Sequence, residues 1–247
     1  MNIDQQMPME NPNAQTSPAG ENEGLEIAVV GMAGRFPGAK DIKTFWNNLC
    51  NGVESITFFA DEELIEAGVA PEALSDPSYV KAAPLLENAE WFDAEFFKLP
   101  PREAKITDPQ HRLFLESAWH ALEDAGYTPQ AYQGNIGVFA GASTSSYVFH
   151  VLSDQRPLLA DNDQQVGIGN NLFALSTRVS YKLNLHGPSL NVHTACSTGL
   201  VATHLACQSL LSYQCDMALA GGVSVTVPQH EGYIYQPDGI VSPDGHT

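Results

Sequence analysis

Basic residues are scarce in this chain: 11 Lys and Arg stand against 29 Asp and Glu, a formal charge of −18 over 247 residues. That balance leaves little with which to grip a phosphate backbone and repels anionic lipid, so nucleic-acid and membrane partners are set aside. It also predicts weak repulsion of an acidic protein partner, unless basic residues gather locally. There are four cysteines, Cys50, Cys196, Cys207 and Cys215; none forms a Cys-x-x-Cys pair or joins histidines at zinc-ligand spacing. No disulfide framework, metal site or bound cofactor is expected. No apolar run approaches membrane-spanning length, and the N-terminus lacks a basic-then-apolar secretion pattern. The expectation is a reduced, cytoplasmic protein.

What remains is a chain long enough to bury a substantial core. Residues 1–24 are rich in Asn, Gln, Pro, Gly and Glu and lack apolar periodicity, which predicts a disordered leader. The domain is expected over 25–247. Ile27-Ala28-Val29-Val30 before Gly31 reads as a buried strand ending in a turn. Asp41 to Cys50 reads as a short amphipathic helix, with Ile42, Phe45, Trp46 and Leu49 at helical spacing. Ala60 to Asn88 and Ser153 to Gln165 read as acidic surface excursions.

The clearest helix of the first half is Asp108 to Gly126. Asp108 is placed to cap it, Pro109 suits its first turn and Gly126 terminates it. Ile136 to Ala140 then reads as a strand. From Asn171 onward the order is helix (Leu172 to Leu183), strand (Ser189 to His193), helix (Thr198 to Tyr213) and strand (from Met217). Strands alternating with helices predict a layered α/β fold.

The chemistry concentrates at Thr194-Ala195-Cys196-Ser197-Thr198-Gly199, where a strand turns sharply into a helix. A thiol there faces the positive end of the helix and backbone amides without intrahelical partners, which favour an anion. The thiolate is the nucleophilic form of cysteine. The backbone amide of Cys196 is placed to stabilise an oxyanion on a bound acyl group. The following helix, Gly199 to Cys207, is apolar on nearly all sides, which predicts burial between layers and a desolvated site at its tip. Read from spacing alone, Cys196 also fits a small buried apolar residue.

Gly31, Gly34 and Gly38 follow the first strand but miss the dinucleotide-loop spacing, and Pro37 occupies the helix start, so no nucleotide is expected. Tyr213, Tyr233 and Tyr235 read as core or interface aromatics rather than a stacking surface.

The run Val192 to Ala202, continued by Cys207-Gln208-Ser209-Leu210 and Ala218 to Val223, closely resembles the active-cysteine segment of the β-ketoacyl synthase domains of modular polyketide synthases. Ile27 to Gly38 is similar to that family's opening strand and turn. Asp108-Pro109-Gln110-His111-Arg112 and Ala121 to Gly126 are similar to its long helix. Arg178 to Tyr181, Gly187-Pro188-Ser189 and Gly239 to Gly245 fit the same order.

The resemblance implies the N-terminal half of a thiolase-like α-β-α-β-α fold, with the strand Ser189 to His193 near a dimer axis. It implies loading of an acyl chain on Cys196 from the phosphopantetheine of an acyl carrier protein. Decarboxylative condensation with a malonyl-type extender then follows, in polyketide or fatty-acid biosynthesis. It places two histidines and a lysine in a second half, beyond Thr247, so this stretch alone is expected to be inactive.

The eight histidines here sit in none of those motifs. His193, three residues before Cys196 on the incoming strand, is expected to face away from it. His204 is expected to be a hydrogen-bonded core residue. Two other readings stand: a non-catalytic partner such as a chain-length factor or scaffold, and a Cys-His acyltransferase.

Overall fold

The computed structural model describes residues 26–154 and 163–246. Residues 1–24, the expected leader, and residues 155–162 of the second acidic stretch lie outside them. In chain order the elements are α1 (Ile42–Cys50), β1 (Thr57–Phe58), α2 (Asp61–Glu66), α3 (Pro71–Leu74), β2 (Tyr79–Val80), β3 (Ala82–Ala83), α4 (Pro101–Ile106), α5 (Pro109–Asp124), β4 (Ile136–Ala142), α6 (Tyr147–Asp154), α7 (Asp163–Asn170), α8 (Leu175–Leu183), β5 (Ser189–Asn191), α9 (Thr198–Leu211), β6 (Met217–Val223) and β7 (Tyr233–Ile234). Among the described residues no helix is long and apolar enough to cross a membrane.

The caps fall where side-chain chemistry puts them. The Asp41 and Asp108 carboxylates accept from the amides of Thr44 and Gln110, at 2.7 and 2.8 Å, opening α1 and α5. Gly126 follows α5 with a φ of 76°. A 3-10 turn, Leu172–Ala174, leads into α8, which ends on Asn184 in the left-handed region.

The central sheet is parallel, in the order β5–β4–β6. Val138 of β4 lies opposite Ser189 on one side and Leu219 on the other. β4 is buried nearly throughout, as a continuous apolar run in a parallel sheet requires. Its alternation feeds two cores. Ile136, Val138 and Ala140 pack with Phe114, Leu115 and Leu122 of α5 and with Leu175 and Val179 of α8. Phe139 turns to the other face, against Val192 and Ala202 and Ala206 of α9. The connection from β5 to β6 runs through α9 past β4, the long crossover that parallel strands need. The result is the expected helix–sheet–helix layering.

One expectation is corrected. Ile27 to Val30 forms no strand: Val29 and Val30 are 77% and 52% exposed. A cavity of about 1320 Å³ lies between this segment and β6, which pairs only with β4 among the described residues. A strand exists only where a neighbour supplies ladder bonds, and that gap supplies none. The segment is held from α5 instead. A Cβ on Gly31 would lie 2.4 Å from the Ala121 carbonyl oxygen, and the Met32 amide donates to Asp124 Oδ2 at 2.9 Å. α1 forms where the sequence places it, capped by Asp41. Phe45 stacks on Phe36, but Trp46 and Leu49 are 64% and 55% exposed and nothing on this helix is fully buried.

Candidate active site

All three parallel strands end at one edge of the sheet, and the chain leaves β5 there. The Val192 amide adds one more ladder bond, to Ala140 O at 2.8 Å. The backbone then folds into a 3-10 turn, Ala195–Ser197, that runs straight into α9. Cys196 is the middle residue of that turn and is exposed.

Three features shape the bend. Ala195 has a φ of 51°, a left-handed conformation that costs a residue with a Cβ about 1–2 kcal/mol. Thr198 Oγ1 accepts from the Thr194 amide at 3.0 Å, and Ser197 Oγ donates to the Thr194 carbonyl at 2.7 Å. These bonds close a small loop around the cysteine from both sides. Gly141, near the end of β4, lets the loop sit against the sheet: a Cβ there would lie 2.0 Å from Val192 O and 2.4 Å from Thr198 Cγ2.

The incoming strand is braced separately. Asn191 Oδ1 accepts from the Ser176 amide and hydroxyl at 3.1 and 3.0 Å, while Asn191 Nδ2 donates to Phe173 O at 2.6 Å. The start of α8 and the end of β5 are thereby fixed to each other, five residues before the thiol.

The sequence reading located Cys196 in a strand-to-helix turn, and the structure puts it there. It overestimated the burial. Only Ala202, Ala206 and Ser209 of α9 are buried, and Leu200 is 76% exposed. An apolar helix is buried all round only if both sides are covered, and here one side meets β4 and β6 while the other is open. His204 lies on the open side and is exposed, not a core residue. His193 is exposed as well. β5 ends at Asn191 and the left-handed Ala195 lies between, so strand alternation does not relate His193 to Cys196. Of the three tyrosines, Tyr213 is 94% exposed, whereas Tyr233 donates to Ser242 O at 2.8 Å.

Asn191, Ser176, Gly141 and Thr198 were not singled out from the sequence. A polar Asn inside an apolar strand was the one available signal. The rest depends on which backbone lies opposite.

Behind the site, α5 carries a buried polar group. Gln110 joins three elements: its Oε1 accepts from Ser143 Oγ (2.7 Å) and the Val225 amide (3.3 Å), and its Nε2 donates to Ser143 O. His111 is 1% exposed and neither ring nitrogen has a partner among the described residues. Burial, aided by the Arg178 charge, pushes the His111 imidazole down to about 3, so it is neutral at physiological pH. Arg178 in turn pairs with Glu103 at 3.4 Å.

Residues 25–247 match the family described as "Beta-ketoacyl synthase, N-terminal domain". The chain is 53% identical over 227 residues to a phenolphthiocerol/phthiocerol polyketide synthase protein of Mycobacterium tuberculosis, covering 89% of this chain and 15% of that protein. It is 39% identical over 236 residues to polyketide synthase PksM of Bacillus subtilis, covering 90% of this chain and 5% of that one. Among solved structures, ketosynthase twelve of the bacillaene polyketide synthase of Bacillus amyloliquefaciens superposes with a TM-score of 0.80 at 36% identity, over 89% of this chain and 38% of that chain. The ketosynthase of module 1 of the bacillaene synthase from the same species gives 0.68 at 35% identity, over 89% and 37%. The chain thus spans a minor part of each relative it matches.

Proposed function

Because this chain belongs to the β-ketoacyl synthase family, through that family's N-terminal domain, we propose that it is the nucleophile-bearing part of a condensing enzyme of polyketide biosynthesis. The observation that carries the reading is the placement of Cys196. Its side chain stands exposed in a strained, doubly braced turn at the N-terminus of α9, on the edge where three parallel strands end. A turn of this kind presents a nucleophile outward while the next helix points its amides at it.

The reaction begins when Cys196 Sγ attacks the carbonyl carbon of an acyl chain held as a thioester on the phosphopantetheine of an acyl carrier protein. The carbonyl oxygen becomes an oxyanion, for which the Cys196 amide is the first candidate donor. Collapse breaks the carrier's C–S bond. The carrier thiol leaves with a proton, and the acyl group stays on Cys196. A malonyl-type extender then loses carbon dioxide, and the resulting carbanion attacks the acyl carbon and frees the cysteine. Covalent catalysis divides one difficult exchange into two easier ones and clears the first carrier before the second docks. Phosphopantetheine enters as part of the substrate; the chain holds no cofactor of its own in this scheme.

The same reading makes the protein a homodimer through the strand Ser189 to His193. In its support, β5 is an outer strand of the described sheet and Leu190 is 49% exposed. It also carries a cytoplasmic location, where thiols stay reduced. A non-catalytic, ketosynthase-like partner is the rival reading.

The deciding experiment incubates the complete synthase with an acyl-carrier thioester and maps the adduct by mass spectrometry. Acylation is expected on Cys196 and nowhere else, and Cys196→Ala should abolish both the adduct and chain elongation. Elongation by Cys196→Ala at the wild-type rate would refute the assignment.

A further inference from the structure

The opening of α5, Asp108-Pro109-Gln110-His111-Arg112, lies behind the site, and no step of the chemistry proposed for Cys196 uses it. Gln110 there is 1% exposed, and its carboxamide is fully bonded. Oε1 accepts from Ser143 Oγ at 2.7 Å and from the Val225 amide at 3.3 Å. Nε2 donates to Ser143 O at 3.2 Å and to Asp108 Oδ2 at 3.3 Å. Two acceptor sites and two donor hydrogens are all that a carboxamide offers, and each is used. Capping the helix does not require them, because Asp108 caps α5 through the Gln110 backbone amide.

Three of the four bonds reach segments that continue the sheet beyond its ladder. Ser143 directly follows β4, and Val225 comes just after β6. The Ser143 amide still bonds Val223 O at 3.2 Å, and Gln110 bridges the two segments farther out. Just before these anchors lie Gly141 and Gly222, which pair in the ladder and form the floor under α9. A Cβ on Gly141 would lie 2.4 Å from Thr198 Cγ2, and one on Gly222 would lie 3.8 Å from both Thr198 Cγ2 and the Gly199 amide nitrogen. Thr198 and Gly199 open α9, directly after the turn that carries Cys196. The spacing of the ends of β4 and β6 therefore sets where the helix start, and the thiol ahead of it, comes to rest.

We propose that Gln110 is a positioning residue for the reaction of Cys196: by tying Ser143 to Val225 it fixes the spacing of Gly141 and Gly222, and so the seat of the α9 N-terminus. The inference rests on the function proposed above and adds to it a residue too buried to touch the substrate. A side chain suits this task better than one more ladder bond, because it holds both segments to α5 as well as to each other. A buried polar network in which every member is satisfied favours a single arrangement. Farther out, Ser146 Oγ accepts from the Val227 amide at 2.7 Å, so the segments stay joined when Gln110 is lost. The consequence of its loss is a displaced turn rather than an unfolded edge.

The test uses the complete synthase with three variants. Gln110→Met keeps the volume and removes all four bonds; Ser143→Ala removes one of them; Leu122→Val weakens the core at the other end of α5. Single-turnover acylation of Cys196 is followed from an acyl N-acetylcysteamine thioester, which needs no carrier to dock. Gln110→Met should lower the limiting rate about tenfold or more and leave the half-saturating concentration within about twofold. Ser143→Ala should fall between it and the wild type. Leu122→Val should keep the limiting rate within about twofold despite its lower stability. Hydrogen exchange reads the same coupling without any reaction: the amides of residues 194–199 should exchange about fivefold faster or more in Gln110→Met, and not in Leu122→Val.

Either a wild-type limiting rate or unchanged exchange at 194–199 in Gln110→Met overturns the proposal. So does a Leu122→Val variant that slows acylation as much as Gln110→Met, since the effect is then one of general stability. If Gln110→Met does not fold, Ser143→Ala decides by the same criteria. If wild-type Cys196 takes no acyl group, the proposed function fails and hydrogen exchange alone decides the clamp, so the two ideas fail separately.

Discussion

Asn191 and Ser176 lock the end of β5 to the start of α8: one side-chain oxygen of Asn191 accepts from both the amide and the hydroxyl of Ser176, at 3.1 and 3.0 Å. The amide nitrogen of the same side chain is occupied by Phe173 O. A single residue thus fixes the path of the backbone that enters the Cys196 turn.

Replacing Asn191 by Ala leaves two donors on Ser176 and one carbonyl without their partner. The expected cost is about 1–3 kcal/mol, read as a lower denaturation midpoint of the complete ketosynthase. Acylation of Cys196 should slow in parallel. Unchanged stability together with unchanged acylation would show that the brace is dispensable.

Gly141→Ala tests the close approach of β4 to the cysteine turn. The new methyl would meet Val192 O and Thr198 Cγ2 at 2.0 and 2.4 Å, so the turn must move outward. Displacing a reacting group by about an ångström costs on the order of a hundredfold in rate. Gly167→Ala, where a Cβ meets nothing within 4 Å, serves as the control and should acylate normally. Single-turnover acylation rates of the two variants separate a local effect from a general one.

His111 predicts an acid-sensitive fold. Its folded-state value of about 3 lies below the ordinary 6.5, so the unfolded chain binds the proton first. The stability it contributes is complete above pH 6.5 and is lost as pH falls from 6.5 toward 3, with a slope of about 1.4 kcal/mol per pH unit. His111→Gln removes the titrating group. Its stability should therefore fall less steeply than that of the wild type between about pH 6.5 and 4, as followed by urea unfolding; parallel curves would contradict the assignment.

Glu103 and Arg178 form an ion pair in which the Arg side chain is 8% and the Glu side chain 31% exposed. Glu103→Ala strands a buried guanidinium. The expected loss is on the order of 2 kcal/mol, below that of a fully buried pair because water already screens Glu103. Arg178→Met, which removes the buried charge and keeps the volume, should cost less than Glu103→Ala. The reverse order in thermal melting would argue that the arginine has a role beyond this pair.

The features legible in the sequence are those set by local chemistry. Asp108, Pro109 and Gly126 bracket α5 because capping, a fixed φ and a left-handed terminator are properties of single residues. Ile136 to Ala140 reads as a strand because it is a short apolar run closed by a glycine, and β4 forms there. The motif around Cys196 marked the candidate site, and the layered fold of the solved ketosynthases agrees with the thiolase-like expectation drawn from it.

Other features depended on which segment lies opposite which, and no local period records that. Val29 and Val30 have the composition of a buried strand, yet they are exposed because a cavity rather than a strand faces them. His204 sits on an apolar helix but on its uncovered side. Asn191, Gly141 and Thr198 gain their roles from backbone groups that the fold brings to them. The sequence by itself determined most of the elements and the place of the cysteine between strand and helix; the tertiary structure decided burial and bracing, since each of these is a relation between residues distant along the chain.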